Sequence, residues 1–159
     1  MKKVLSLLIT GMAICLQFSA KGQEIQLNKF DKRGVELINS FMNALIANAT
    51  DELAAAKTAL PFIHRSEYDN SGTSLKRDRL DYSFKKAWQN AKFYQVPVSV
   101  TRVQKQSLTA IGFGATAQAG TSYKVWIAKK SGVRGLPAPL NVFFPSDGSG
   151  PTLNYYGSL

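Results

Sequence analysis

One histidine and the polar side chains beside it are the first residues of this chain whose types and spacing could do chemistry. His64 is the only imidazole among 159 residues, and Glu67, Tyr68 and Asp69 follow within five positions. A histidine oriented by a carboxylate, with a phenol nearby, can act as a general base or acid. This set would suit a small pocket enzyme of the isomerase or hydratase type. The alternative is structural, because these side chains can equally cap local backbone, and the sequence favours that reading.

Other catalytic and metal-binding patterns are missing from the sequence. A single Cys and a single His argue against an ordinary zinc site, which takes three or four ligands from His, Cys and carboxylates. There is no Gly-x-Ser-x-Gly motif, and Gly112-Phe113-Gly114 lacks the Lys-Ser/Thr ending of a phosphate loop. Asp147 begins a Gly-rich stretch that reads as a turn, because a calcium site needs several carboxylates and no other acid follows Asp81. We expect no metal, no cofactor and no catalytic residues.

The charge of the chain is strongly basic and unevenly placed. Lys and Arg number 20 against 10 Asp and Glu, a net charge of +10. Residues 96–159 carry six bases and one acid, whereas residues 23–95 are nearly balanced. Lys129, Lys130 and Arg134 flank or occupy a Gly/Pro-rich connection, which places them at one rim of a predicted sheet. Such a surface attracts anionic partners through its long-range field.

Aromatic and basic side chains together define the candidate binding residues. Three aromatic residues could line a pocket between helices and sheet, and Lys124 shares a predicted strand face with one of them, Trp126. The other three bases are those of the sheet rim. These seven residues are Trp88, Phe113, Trp126, Lys124, Lys129, Lys130 and Arg134. The expected partners are an anionic envelope polymer, a lipid headgroup, a small apolar ligand or another protein. Nucleic acid is disfavoured because the chain carries an export signal.

That export signal is the N-terminal segment. Lys2 and Lys3 precede an apolar run over residues 4–16, which is shorter than the roughly 20 residues that span a bilayer. Ala20 and Gly22 are small residues suited to cleavage after Gly22. We therefore predict a signal peptide at 1–22, periplasmic or secreted localisation, no retained membrane span, and one domain at 23–159. That mature chain has no cysteine and a net charge of +7 (17 Lys and Arg against 10 Asp and Glu).

Periodicity predicts helices first and strands afterwards. The first helix begins after Asp31, with apolar residues at helical spacing over 35–46; the second is capped by Thr50 and stopped by Pro61; the third covers 75–92. Alternating apolar residues then predict strands. Their ranges are 96–101, 107–117, 123–128, 140–144 and 153–157.

This order indicates an α+β fold in which three N-terminal helices pack on a curved antiparallel sheet of four to five strands. It resembles the nuclear-transport-factor-like superfamily of cone-shaped α+β proteins, and the cystatin-like layout is the alternative. The leader and its Ala-Lys-Gly junction resemble those of small exported Bacteroidota proteins. Cone-shaped folds host enzymes, ligand binders and interaction domains alike. The function expected is a non-enzymatic exported domain that binds a ligand or envelope partner through a helix/sheet pocket or the basic sheet rim. A protein-interaction role, as an inhibitor or immunity-like factor, is a further alternative.

Overall fold

A computed structural model describes residues 22–159 of the chain. The predicted signal peptide lies outside the described residues except for Gly22. Three α-helices and six strands follow in the described part, with a π-helical turn directly before the last helix. They are β1 (Gln23–Ile25), α1 (Lys32–Ala47), α2 (Glu52–Ala59), the π-helical turn (Arg79–Phe84), α3 (Lys85–Asn90), β2 (Val100–Lys105), β3 (Ala110–Ile111), β4 (Gln118–Ile127), β5 (Ala138–Pro145) and β6 (Thr152–Tyr155).

The first two helices form where capping and periodicity predict them. The Asp31 side chain accepts a hydrogen bond from the backbone N–H of Arg33 at the start of α1, as predicted. Helix α2 is capped by Asp51 and not by Thr50, because the Asp51 carboxylate accepts the N–H of Ala54 at 2.9 Å. The chain after α2 tightens into a 3₁₀ turn, Leu60–Phe62, that contains Pro61.

The third helical segment begins later than predicted. Leu75 lies outside the helix, because it forms an isolated antiparallel bridge with Tyr68, and the N–H of Lys76 bonds to the carbonyl of Glu67. Helical structure starts at Arg77, passes into the π-helical turn at Arg79 and continues as α3. A π-helical turn is rare and is frequently found at functional sites.

The strands form one curved antiparallel sheet in the order β1-β2-β4-β5-β6, and β3 pairs with β4. The sheet thus has six strands, not four to five. The short strand β1 precedes α1, so the helices are inserted between the first and second strands and are not N-terminal to the whole sheet. A three-residue strand of exposed and half-buried residues gives almost no periodic signal.

The predicted strand over 107–117 is wrong for most of its length. Gly112 and Gly114 have φ values of +80° and +54°, in the left-handed region that favours glycine. The chain therefore turns there and forms a loop, with a 3₁₀ turn at Gly114–Thr116. Of this range, only Ala110 and Ile111 are in a strand.

The outer edge of β6 is partly covered by the chain that follows α2. Ile63 forms a parallel bridge with Leu153, and the N–H of His64 donates to the carbonyl of Leu153 at 2.8 Å. This bridge carries His64 and the residues after it to the β6 side of the sheet.

The core is a single apolar cluster shared by the helices and one face of the sheet. Helix α1 contributes Ile38, Phe41 and Leu45, all fully buried, and the sheet contributes residues such as Val125 and Leu140. That sheet face is called the inner face here, and its opposite the outer face. Within residues 22–159, no helix is both long enough and apolar enough to span a membrane.

Candidate functional site

The predicted binding residues do not meet in one pocket. Trp88 lies at a groove of about 580 Å³ between the end of α1 and α3, and its indole N–H donates to the carbonyl of Asn48 at 2.9 Å. Phe113 is 93% exposed on the loop between β3 and β4. Trp126 lies on the outer face of the sheet, in register with Arg102 of β2. The three aromatic residues therefore belong to three separate surfaces.

His64 is buried and both of its ring nitrogens have partners. Its Nδ1 accepts the backbone N–H of Ser66 at 3.1 Å, so the ring proton is on Nε2, which donates to Oε1 of Gln118 at 3.1 Å. Burial lowers the pKa of His64 below its ordinary value, although the Gln118 bond opposes that change. The neutral imidazole caps the 3₁₀ turn Arg65–Glu67 and packs edge-on against Phe143. This arrangement leaves no free ring nitrogen for a substrate.

The bond to Gln118 continues to the turn between β5 and β6. Gln118 Nε2 donates to Oδ2 of Asp147 at 2.7 Å, and Ser149 donates to Oδ1 of the same carboxylate through its backbone N–H and its hydroxyl. The bonds from Ser149, followed by the one from Gln118, lower the pKa of Asp147 to about 2. Asp147 is thus a turn residue, as predicted, and it anchors the network that holds His64.

The predicted basic rim residues do come together. Lys129 and Lys92 place their Nζ atoms 5.8 and 5.2 Å from the ring centre of Phe93. The N–H of Lys130 donates to the carbonyl of Phe93 at 2.9 Å, and Lys129 Nζ donates to the carbonyl of Arg134 at 3.2 Å. We call this set the Phe93 cluster: Lys92, Phe93, Lys129, Lys130 and Arg134.

Two grooves meet at the Phe93 cluster. The groove of about 580 Å³ beside Trp88 includes Lys92 and Phe93. A second groove, of about 320 Å³, lies on the other side and is lined by Phe93, Lys129 and the exposed Leu136. Asn90 and Phe93 line both grooves. The Phe93 ring therefore lies between the two grooves, with the Nζ atoms of Lys92 and Lys129 close to it.

Electrostatics in this region is uncompensated. Residues 82–146 contain nine Lys and Arg and no acid. Among the described residues, none of the four cations of the Phe93 cluster lies within ion-pair distance of a carboxylate. Sequence reasoning missed Lys92 and Phe93 as partners of the rim, although the acid-free stretch that contains them was a usable signal.

Lys124 and Trp126 share a face of β4, as predicted, but they lie apart from the Phe93 cluster. Lys124 Nζ lies 5.2 Å from the Trp126 ring centre and the guanidinium of Arg102 lies 4.8 Å from it. Arg102 also approaches Glu24 of β1 at 3.5 Å. This second basic-aromatic patch is therefore partly neutralised, unlike the Phe93 cluster.

In the part of the chain that the structure describes, no group of three or more His, Cys, Asp and Glu could hold a metal ion. No protein-family model, curated protein or solved structure matches the chain.

Proposed function

We propose that this protein is an exported, non-enzymatic domain that binds an acidic polysaccharide of the cell envelope through the Phe93 cluster. The observation that carries this proposal is the Phe93 cluster, in which Lys92 and Lys129 Nζ lie 5.2 and 5.8 Å from one aromatic ring. Lys130 and Arg134 are joined to them through backbone atoms, and among the described residues no cation of the cluster is at ion-pair distance from a carboxylate. The leader-like sequence at 1–22 supports export, and an exported protein meets envelope polymers.

The chemistry of the cluster suits a polymer with repeated negative charges. Cations on two chain segments can contact successive carboxylate or sulfate groups, and the grooves on both sides of Phe93 give an extended ligand a path across the ring. The surrounding acid-free stretch attracts such a polymer at long range. A lipid headgroup or an acidic protein would also be attracted by this positive charge but would occupy less of the two grooves.

The fold assignment that accompanies this proposal is the cone-shaped α+β type of the nuclear-transport-factor-like superfamily. The curved antiparallel sheet and the contact of α1 with the sheet side support it. The cystatin-like layout stays an alternative. Either fold is compatible with a binding role, because function in these scaffolds depends on the site and not on the architecture.

Charge reversal tests the proposal. The double variant Lys129→Glu/Lys130→Glu should bind immobilised heparin, used as a model acidic polysaccharide, about tenfold more weakly at low salt, which corresponds to about 1.4 kcal/mol. The matched control Lys85→Glu/Lys86→Glu changes the net charge equally at exposed α3 residues that line neither groove. It should retain most of the binding. Equal losses in the two variants, or no binding by the native protein, would overturn the proposal.

The enzyme alternative loses its named base in this structure. The burial of His64 and the engagement of both its nitrogens give a direct test. Hydratase or isomerase activity that disappeared in a folded His64→Gln variant would favour the enzyme and contradict the binding proposal.

A further inference from the structure

A second cleft shares no residue with the Phe93 cluster. It lies between the segment after Ile63, the loop around β3 and the end of β6. An inner cavity of about 140 Å³ and an outer cleft of about 550 Å³ have three residues in common, Glu67, Arg79 and Asn154. The two spaces are therefore parts of one site with a smaller end and a wider mouth.

The inner cavity contains buried polar groups that have no partner. Tyr156, only 2% exposed, and Asn154 both line this cavity, and neither the Tyr156 hydroxyl nor Oδ1 of Asn154, both buried, makes a hydrogen bond. Leaving a buried polar group unpaired costs about 1–3 kcal/mol, so most such groups in folded proteins are satisfied. Two in one cavity indicate that a bound molecule completes them.

The charged pair in this cavity is internally balanced. Arg79 Nε lies 2.6 Å from Oε2 of Glu67, but its N–H is not directed along a hydrogen bond, so the contact is an ion pair with a donor still free. Burial raises the pKa of Glu67, while the cations of Arg79 and Lys76 oppose that rise. Lys76 Nζ is engaged with the carbonyl of Ser66 at 2.7 Å. A ligand therefore meets fixed donors and acceptors with little excess charge from the pair.

The mouth of the cleft is apolar. Phe113 is 93% exposed and Leu108 is 46% exposed, and both line the outer cleft beside Ile111. An exposed aromatic ring next to polar groups can stack on the flat C–H face of a sugar ring. The arrangement thus has an aromatic plate at the mouth and a carboxylate, a guanidinium, an amide and a phenol inside.

The π-helical turn contributes two residues to the wall of the inner cavity. Arg79 and Ser83 both belong to Arg79–Phe84 and both line the inner cavity. Such turns frequently occur at functional sites. This irregularity is a local observation that agrees with the unpaired groups.

We propose that this cleft binds a neutral saccharide, with ring hydroxyls at Glu67, Arg79, Asn154 and Tyr156 and a ring face on Phe113. A hydroxyl both donates and accepts hydrogen bonds, as the unpaired phenol, amide oxygen and guanidinium N–H together require. A carboxylate ligand would face Glu67, and an ammonium ligand would face Arg79 and Lys76. A neutral polyol avoids both repulsions.

Two tyrosines, one buried and one half-buried, provide the first arm of the test. Tyr156→Phe removes an unpaired hydroxyl, so the midpoint of urea unfolding should stay or rise while saccharide binding weakens. Tyr68→Phe is the matched control, because the Tyr68 hydroxyl donates to the carbonyl of Leu60 and should cost stability without affecting binding. A drop in the midpoint for Tyr156→Phe would show that the hydroxyl serves the fold and would overturn the proposal.

Binding itself is measured by NMR titration of the ¹⁵N-labelled protein with cellobiose, maltose and N,N′-diacetylchitobiose. At least one should shift amides near Glu67, Asn154 and residues 108–113. Phe113→Ala should weaken that binding about tenfold, whereas Leu136→Ala, another exposed apolar residue, should not. Shifts elsewhere, an unchanged Phe113→Ala, or a response only to glucuronate or glycine would contradict the proposal. The Lys129→Glu/Lys130→Glu variant should keep this binding, so the result is independent of the Phe93 cluster.

Discussion

At the scale of single residues, two buried hydrogen-bonding side chains differ in whether their polar atoms have partners. His64 is buried with both nitrogens satisfied, whereas Tyr156 is equally buried with its hydroxyl unpaired. Residue type alone drew attention to His64 and not to Tyr156. The difference between them depends on neighbours in space: His64 bonds to Gln118, 54 positions away in the sequence, whereas no side chain reaches the Tyr156 hydroxyl. A sequence pattern cannot supply this information.

The neutral His64 should make stability depend on pH. Because its pKa is lowered in the folded protein, the unfolded chain takes up a proton first as pH falls below about 6.5, the ordinary histidine value. The free energy of unfolding should therefore be highest above that pH and decrease as pH falls towards the pKa of the folded state. Urea unfolding at pH 7 and pH 5 measures this decrease.

His64→Gln removes the titrating group and is the control. As the chain has no other histidine, the variant should show a smaller loss of stability between pH 7 and pH 5 than the native protein. Glu67 titrates in both proteins, and its raised pKa acts in the opposite direction. An equal pH dependence in native protein and variant would refute the assignment of this effect to His64.

At the scale of elements, the sequence predicts what local chemistry determines. The cap at Asp31 and the apolar stripe of α1 depend on residues within the helix, so α1 is found as predicted. The prediction at 107–117 was wrong because an alternating pattern cannot show that Gly112 and Gly114 take left-handed backbone conformations. The late start of the third helix likewise depends on the bridge between Tyr68 and Leu75, a pairing across a loop.

Packing against two aromatic rings requires a glycine at position 34 of α1. A methyl carbon added there would lie 2.6 Å from Cζ of Phe30 and 3.0 Å from Cζ of Phe144, two rings in edge contact. Alanine gains about 1 kcal/mol in helix propensity, but overpacking costs about 1–3 kcal/mol. We expect Gly34→Ala to lower stability by about 1 kcal/mol in urea unfolding.

Asn43→Ala is the comparison, because Asn43 is exposed on the same helix and its replacement should raise stability by about 0.5 kcal/mol. If Gly34→Ala were stabilising like Asn43→Ala, the two rings would be free to move apart and the packing argument would fail.

At the scale of the whole molecule, the positive charge is concentrated in one part of the sequence. The acid-free stretch 82–146 was visible as a basic half of the chain. Only the fold shows where these charges lie on the surface. It brings the end of α3 and the loop between β4 and β5 together at Phe93, and it places Lys124 beside Trp126 on the outer face of the sheet. Sequence thus predicted three members of the Phe93 cluster, Lys129, Lys130 and Arg134, and missed how they are joined.

The asymmetric charge predicts how association depends on salt. Raising the ionic strength shortens the Debye length from about 10 Å at 0.1 M to about 3 Å at 1 M. The association rate with heparin should therefore fall steeply with salt, while the dissociation rate changes much less, as expected for electrostatic steering. Surface plasmon resonance at several salt concentrations measures both rates, and an association rate independent of salt would contradict this prediction.

The bridge between Ile63 and Leu153 also bears on aggregation. An open strand edge invites pairing with another chain, and proteins protect such edges by covering them or keeping them short and charged. On one side of this sheet, residues 63 and 64 occupy hydrogen-bonding positions along β6; on the other, the edge is the three-residue strand β1 with exposed Glu24 at its centre. Neither edge offers a long apolar template for intermolecular strand addition. The protein should accordingly resist fibril formation at high concentration.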